Sequence, residues 1–361
     1  MPKLKDKHIA VVCNYKLRPD RIGGMDRFFK AFDVKVKDKG YTVDWYFTGY
    51  DEFDFYENLT IINSEGNPIE AFTLNYIQSH QLKYDVIVTH FTELCTSFYK
   101  SLKKLTGAYV IAVDHNPRPL LGFSLKKQLK NRLKGWLYGN YIDHFIGVSR
   151  YTMKHILKDY GAHLQSKTTV IYNGIDTKVF EKRNQPNTNK FIVASHLRPS
   201  KGIQDLLLAL SKMDSSLSKT LIIDIYGEGP MASELELMSA NLGLERIVHF
   251  KGSSSHLHLL FKDYSYMIQP TYMECFSLSL LESLSANVPV ITTQVGGNLE
   301  LIKDGVNGFV FEAGKTDSLV KIMEGIASGK LKLSHDVSLL VESEFTLEKM
   351  VDEHYNLLPC I

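Results

Sequence analysis

Residues 266–293 read YMIQPTYMECFSLSLLESLSANVPVITT, and the fold is decided by how this stretch is parsed. Residues 266–269 read as a buried strand that Pro270 ends, a loop then carries Glu274, a helix opens near Phe276, and 288–293 form a second strand. Repeats of strand, loop, helix and strand build doubly wound parallel sheets. At the helix start, free backbone N–H groups and the positive end of the dipole favour an anion such as a diphosphate. Two carboxylates flank that position. Glu274 precedes it, and Glu282 lies more than a turn inside the helix, where side chains lean back toward the N-terminus. An ionised carboxylate only accepts hydrogen bonds, so it repels phosphate and pairs with vicinal hydroxyls. A ligand with hydroxyls on both sides of a phosphate meets these demands, and a nucleotide sugar is such a ligand.

The bulk properties narrow the setting. A chain of 361 residues exceeds one typical core and suggests two domains. Its 44% of apolar residues suffice for both. With 42 basic against 40 acidic residues the net charge is +2, so nothing global points to nucleic acid. The charged start, Met1 to Lys7, is followed by an apolar run that stops at Cys13, too short for a secretory signal or a membrane span. Cys13, Cys95, Cys275 and Cys360 form no C-x-x-C pair and read as reduced, packed thiols of a cytoplasmic protein. Cys275 beside the helix start is the one whose pKa that environment could lower, with packing the favoured role.

Strands are expected at 8–13, 42–47, 85–89, 109–113, 144–148 and 169–172, and helices at 25–39, 72–80, 93–105 and 151–160. In such sheets ligands sit beyond the carboxyl ends of the strands. The first such loop ends in Gly23-Gly24 directly before a helix, without the G-x-G-x-x-G of a dinucleotide site. Paired glycines allow close approach of a ligand to backbone, and a plain flexible loop is the alternative. His90 and His115 both end strands; His90 reads as either cleft lining or core. Asp51 to Asp54 superficially suggests a D-x-D metal motif, but in a Tyr- and Phe-rich loop it reads as a solvated turn, and no metal constellation is expected.

Between 123 and 141, Leu125, Leu129, Leu133, Trp136 and Leu137 fall near one helical stripe, with Lys126, Lys127, Lys130, Arg132 and Lys134 around the other faces. Such a helix can lie on an anionic membrane surface. The alternative, favoured because most amphipathic helices cover a core, packs the stripe on the sheet and leaves the lysines in solvent. A polar linker is placed at 181–190, around Pro186, and a second domain begins at Phe191 with a further strand, basic loop and helix.

Glu274 and Glu282 with seven residues between them, followed by Val288-Pro-Val-Ile and Gly296-Gly297, resemble the E-x7-E signature of retaining glycosyltransferases of family 4. The resemblance covers nearly the whole chain and is densest from 191 to 311. It implies a GT-B fold, α/β, with two doubly wound Rossmann-like domains facing across a cleft. Residues 1–182 would form the acceptor side, 191–345 the nucleotide-sugar side, and 346–361 a helix returning to the first domain. It also implies retaining transfer from a UDP- or GDP-sugar to a hydroxyl of a glycan or lipid-linked acceptor, with neither metal nor cofactor.

On that resemblance Lys201 stands on the leaving diphosphate, Glu274 on sugar hydroxyls, Glu282 on the ribose diol, and the backbone of Phe276, Ser277, Leu278 and Ser279 on the phosphate. Gly227, in Gly227-Glu-Gly-Pro230, matches the turn beside the nucleotide, and 248–252 the backbone that pairs with the base. Gly23, Gly24 and His115 match groups near the donor phosphate and sugar. The sequence departs from the family at one point, because His196 occupies the usual arginine position and Arg198 is displaced by two. Either Arg198 swings in or His196 does a weaker job. Relatives that elongate lipid-linked glycans use a basic helix comparable to 123–141, which implies a peripheral place at the inner face of the plasma membrane and a part in making surface polysaccharide. Two alternatives remain: a sugar-nucleotide epimerase of the same fold, and a non-catalytic donor-binding partner of another transferase.

Overall fold

The computed structural model describes residues 7–19, 22–184 and 189–359. The charged start 1–6, Pro186 of the expected linker, and Cys360 lie outside them. The chain divides into two compact units: 1–117, 122–174 and 347–361 make the first, and 118–121 and 175–346 the second. The chain passes into the second unit at Ile175, ahead of the polar run expected to separate the domains. Residues after Gly174 are already pinned to the second unit, where Ile175 N–H donates to the Phe345 carbonyl and the buried Arg183 guanidinium to the Ser265 carbonyl (2.9 Å).

The first unit carries β1 (Lys7–Leu17), β2 (Tyr41–Tyr50), β3 (Thr60–Asn63), β4 (Val86–His90), β5 (Tyr109–Asp114), β6 (His144–Gly147) and β7 (Thr168–Val170). Its helices are α1 (Gly24–Asp38), α2 (Ile69–Ser79), α3 (Ser97–Thr106), α4 (Leu125–Tyr138) and α5 (Arg150–Tyr160). The strands form one parallel sheet in the order β3-β2-β1-β4-β5-β6-β7. Helices cover both faces of such a sheet, which is why β4 (VIVTH) is buried at every residue and shows no alternation. Strand β3 was not expected: Thr60-Ile-Ile-Asn is a four-residue edge strand set among Asn, Ser and Gly, where the turn signals dominate. Helix α3 opens at Ser97, later than the expected 93, because Phe91 and Cys95 hold left-handed backbone (φ +60° and +53°) that no helix can include.

The second unit carries β8 (Lys190–Ala194), β9 (Ile222–Tyr226), β10 (Val248–Gly252), β11 (Tyr266–Gln269), β12 (Val290–Thr293) and β13 (Gly308–Phe311), in the order β10-β9-β8-β11-β12-β13. Its helices are α6 (Ile203–Lys212), α7 (Ser215–Ser218), α8 (Ala232–Asn241), α9 (Leu257–Leu260), α10 (Leu278–Ser285), α11 (Asn298–Leu301), α12 (Thr316–Ala327) and α13 (Leu339–Glu344). The last helix, α14 (Leu347–Asn356), packs on α1 in the first unit. The stretch 266–293 folds as strand, loop, helix and strand, with the helix opening at Leu278, two residues beyond Phe276.

Each sheet reverses its winding direction once, between β1 and β4 in the first and between β8 and β11 in the second. Cys13 lies opposite Phe47 and His90, and His90 opposite Val113, so these strand ends line one edge. Crevices for ligands open at such reversal points, outside the carboxyl ends of the strands. The Gly23-Gly24 loop follows β1 and His90 ends β4. The Lys201 loop follows β8, and Glu274 follows β11.

Helix α4 overturns the favoured expectation for 123–141. Its apolar stripe does not pack on the sheet: Leu125, Leu129 and Trp136 are 78%, 73% and 72% exposed. The buried residues are instead Asn131 and Gly135. A Cβ on Gly135 would stand 1.8 Å from the Tyr160 carbonyl oxygen, so the backbone of α4 lies directly against the end of α5. Small residues thus face the protein and the leucines are turned outward. Gly135→Ala is therefore expected to destabilise the protein by about 1–3 kcal/mol, although on an open helix face the same change gains up to about 1 kcal/mol. Thermal unfolding distinguishes the two, and a raised melting temperature would refute the close approach.

Candidate active site

In the second unit, Lys201 ends a short 3-10 turn (Pro199–Lys201) directly after β8. That turn is stitched to the loop after β11: Tyr272 N–H and the Thr271 hydroxyl both donate to the Ser200 carbonyl, at 2.8 and 3.1 Å. Gly202 is the enabling residue. Its φ is +70°, and a Cβ there would lie 1.9 Å from the Pro270 carbonyl oxygen. The stitching brings the Lys201 ammonium onto the Glu274 carboxylate, an ion pair in which each side chain is only 13% exposed. On its other side the Glu274 backbone is held by Gly296 (φ +61°), where a Cβ would lie 2.0 Å from the Glu274 carbonyl oxygen, and by Gly297 N–H, which donates to the Cys275 carbonyl (2.9 Å).

The start of α10 departs from ordinary capping. Ser277 occupies the cap position, yet its hydroxyl makes no capping bond to the helix backbone and meets only the Ser279 hydroxyl (3.1 Å) on that helix. It accepts instead from the Gln269 amide (2.7 Å), which also donates to the Ser279 hydroxyl (3.1 Å). Gln269 is fixed in turn: its carbonyl accepts from the Thr292 hydroxyl, which accepts from the Asn298 amide, both at 3.1 Å. All but Ser279 are buried. The backbone N–H groups that a serine cap would have engaged are thus left for another acceptor, and an anion is the acceptor a helix N-terminus favours. Glu282 is the fifth residue of this helix. Gln269 went unread in the sequence, where its one signal is a polar residue closing an apolar strand.

Gly227 (φ +135°) sits tight on the loop after β8, where a Cβ would lie 1.8 Å from the Ser195 carbonyl oxygen, and its N–H donates to the Gly252 carbonyl (2.8 Å). His196 and Arg198 are exposed on that loop, joined by Arg198 N–H to the His196 carbonyl (3.0 Å). Cys275 is a buried free thiol, as are Cys13 and Cys95.

In the first unit, Gly23 precedes α1 and its N–H is taken by the Asp26 carboxylate (2.8 Å). Asp26 also accepts from the Tyr15 hydroxyl (3.0 Å) and from Tyr56. Burial raises its pKa, and those donors oppose the rise. His115 lies just past β5 with Nε2 3.0 Å from Nδ1 of His90. The Phe91 ring stacks on His115 with centroids 4.2 Å apart. His90 is buried, which places it in the core beneath His115. A third histidine, which no sequence signal singled out, joins them: His354 of α14 stacks on His90 (6.2 Å) and meets Phe28 (4.8 Å). Burial keeps all three neutral. It pushes His115 down to about 3, His354 to about 4, and His90 well below the usual histidine value.

Among the described residues there is no group of three or more His, Cys, Asp or Glu placed to hold a metal ion, and no helix long and apolar enough to cross a membrane.

Comparisons with known proteins agree with this geometry. Residues 22–179 match the profile of Glycosyltransferase Family 4 and residues 175–338 that of Glycosyl transferases group 1. The chain is 25% identical over 320 residues to an uncharacterised glycosyltransferase of Methanocaldococcus jannaschii, covering 86% of this chain and 87% of that one. Several other curated relatives are matched over about half their own length. Two solved structures share the fold across almost the whole chain. The lipopolysaccharide outer core galactosyltransferase WaaB in its apo form has a TM-score of 0.71 at 19% identity, covering 97% of this chain and 98% of that one. HepE of Anabaena in complex with UDP-glucose has a TM-score of 0.73 at 18% identity, covering 97% and 99%. Two Rossmann-like units with parallel sheets, each with its candidate residues at the reversal point, define an α/β protein of the GT-B class. The chain is a glycosyltransferase, a Family 4 domain followed by a group 1 domain.

The histidine cluster generates a pH dependence. In the unfolded chain each ring takes up a proton below about pH 6.5, while the folded chain keeps it neutral, so the unfolded state binds more protons and stability falls on acidification. The slope reaches at most about 1.4 kcal/mol per pH unit for each histidine. Denaturant unfolding between about pH 7.5 and pH 5 should show this loss, and His354→Phe should flatten it. An unchanged slope in that variant would mean that the ring is solvated.

Proposed function

We propose that the chain is a retaining, metal-independent transferase that moves a sugar from a nucleotide diphosphate donor, a UDP- or GDP-sugar, to a hydroxyl of a glycan or lipid-linked acceptor. The observation that carries this reading is the Lys201–Glu274 ion pair beside the open start of α10. A donor exchanges one set of partners for another. Its diphosphate takes Lys201 from Glu274 and occupies the N–H groups of Phe276, Ser277, Leu278 and Ser279, while Glu274 turns to the sugar hydroxyls. Neither charge is left unpaired, which matters because a bare charge at so desolvated a position is costly. Glu282 grips the ribose diol, Gly227 lets the nucleotide approach the backbone, and Arg198, with His196 beside it, adds a cation.

From the first unit, Gly23, Gly24 and His115 serve the transferred sugar, its phosphate and the acceptor. Glu274 is a hydroxyl binder and not a nucleophile. The leaving phosphate oxygen accepts the acceptor's O–H proton as the C–O bond to phosphate breaks, and the new C–O bond forms on the same face. The protein contributes positioning and charge stabilisation, from Lys201, Arg198 and the helix dipole. The UDP-glucose held by HepE supports a uridine donor, and the lipopolysaccharide galactosyltransferase supports a surface polysaccharide context.

A panel of nucleotide sugars scored by thermal protection tests donor binding, since a ligand of the native state raises its stability. With the donor in hand, Glu274→Ala and Lys201→Ala should each lower kcat/KM by a factor on the order of 10² to 10³, and the product should keep the donor's anomeric configuration. A near-normal Glu274→Ala enzyme, an inverted product, or conversion of the donor without any acceptor would each overturn the assignment.

The same reading places the enzyme in the cytoplasm, peripheral to an anionic membrane surface through 123–141. The outward row of Leu125, Leu129, Leu133 and Trp136 is bordered by exposed Lys126, Lys130 and Arg132, while Lys127 and Lys134 are tied to Glu93 at 3.2 and 2.8 Å. No acidic residue lies between Asp114 and Asp143. Apolar side chains set among cations suit anionic headgroups. Leu129→Ser with Trp136→Ser should weaken sedimentation with vesicles containing phosphatidylglycerol and leave the melting temperature unchanged; equal sedimentation would sink the assignment.

A further inference from the structure

We propose that Glu93 sets the charge that α4 presents to an anionic membrane: it draws Lys127 and Lys134 aside, so that Lys126, Lys130 and Arg132 are the cations of the helix that meet lipid headgroups. This deepens, and rests on, the reading that the outward face of α4 lies on such a surface. The helix geometry sorts these cations into two groups. At about 100° per residue, Lys126 and Arg132 stand about 60° to either side of Leu129 and Lys130 about 100° away, whereas Lys134 and Lys127 stand about 140° and about 160° away. The first three are exposed and border the leucines. The other two lie on the flank between the apolar row and the packed face at Asn131 and Gly135, with side chains 18% and 39% exposed. Both reach one acceptor, Oε1 of Glu93, Lys134 at 2.8 Å and Lys127 at 3.2 Å. Two turns of helix, about 10 Å of axis, separate the two lysines, so one carboxylate joins them only because both side chains bend toward it.

Glu93 is held in place by its neighbours in the loop after β4. Thr92 and Leu94 are buried, and the Thr92 hydroxyl is paired with that of Tyr99 (2.8 Å). Burial raises the pKa of the Glu93 carboxyl, but the hydrogen bonds and charges of Lys134 and Lys127 outweigh it and leave the group below its usual value, so it is ionised at neutral pH. Glu70 of α2 stands near the same groups: burial and then Glu93 raise its pKa, and Lys134 lowers it. Acids thus gather on the flank that carries Lys127 and Lys134, whereas Lys126, Lys130 and Arg132 enter no ion pair among the described residues. The charge complementary to headgroups is therefore the three-cation border of the apolar row. A bilayer that recruits the other two must take them from Glu93 and leave that carboxylate unpaired beside anionic lipid, which opposes the exchange.

The test uses the full chain and vesicles of phosphatidylcholine with increasing phosphatidylglycerol, scored by sedimentation. Lys126→Gln and Lys130→Gln should each weaken binding about three- to five-fold, the worth of one cation near such a surface. Lys127→Gln should weaken it by less than about two-fold, within ordinary additivity, while Lys134 still occupies Glu93. Glu93→Gln should strengthen binding roughly five- to 25-fold, and in that background Lys127→Gln should cost as much as Lys126→Gln. Glu93 is 47% exposed and pairs of this kind contribute little to stability, so the variant should melt like the parent. A measurement without vesicles reads the same contact: reductive methylation should modify Lys127 and Lys134 faster in Glu93→Gln than in the parent and leave Lys126 unchanged. A Lys127→Gln penalty equal in both backgrounds, a Glu93→Gln protein that binds no better, or methylation of Lys127 and Lys134 unmoved by Glu93→Gln would each overturn the proposal. A parent chain that stays in the supernatant with phosphatidylglycerol vesicles would instead remove the membrane reading and the proposal with it. That failure is told apart because methylation, read without lipid, still responds to Glu93→Gln.

Discussion

Three main-chain approaches with no room for a side chain govern the carboxyl edge of the second sheet. Gly202 abuts the Pro270 carbonyl, Gly296 the Glu274 carbonyl, and Gly227 the Ser195 carbonyl, each with positive φ and each with a Cβ position within about 2 Å of an oxygen. Any other residue would force loops apart that only close approach keeps in register. Through the first of these contacts the turn after β8 is sewn to the loop after β11, and through the second that loop is clamped from behind. Lys201 and Glu274 meet because their backbones are fixed, not because two long side chains find each other on a surface. This separates the pair from an exposed salt bridge, which contributes little and holds nothing in place.

The same edge shows a local rule set aside. A serine at a helix cap ordinarily bonds the first turn and contributes about 1 kcal/mol. Here Ser277 is turned to Gln269, inside a buried chain that runs through Thr292 to Asn298. The hydroxyls are satisfied, so the arrangement leaves no buried polar debt on the serine, and the open valence is moved to the helix backbone at the surface. An anion placed there is stabilised by the dipole and by N–H groups that need no reorganisation. Sites where local sequence preference is overridden without an evident structural gain are where function is to be sought.

How much of this the sequence discloses depends on which physics writes the signal. Alternating apolar strands and helices are written locally, so the first sheet is legible apart from β3, and the spacing of Glu274 and Glu282 marks the candidate edge of the second. Contacts made across the fold are not. Gln269 looks like the polar end of a strand, His354 like one polar residue of a terminal helix, and their partners lie 8 and more than 200 positions away in the chain. Helix α4 is the instructive reversal. Its hydrophobic stripe predicts burial, but Gly135 marks the face that packs, since a missing Cβ allows backbone contact that five leucine-sized residues would prevent. Periodicity identifies the apolar face, and only packing says whether that face is inside.

Burial also divides the chemistry between the units. Histidine is the residue whose charge is most readily adjusted near neutral pH, yet the cluster at the carboxyl edge of the first sheet is lined by Phe28, Phe29, Phe32 and Phe91 and is held neutral far below that range. A neutral ring can orient a hydroxyl or a phosphate oxygen, but it cannot offset the two charges of a departing diphosphate. In the proposed reaction that work falls to cations and dipoles, and the second unit offers Lys201, paired with Glu274, and the start of α10. On the proposed reading the aromatic wall around the histidines therefore does more than fill the core: it leaves their rings to orient a ligand and not to offset its charge.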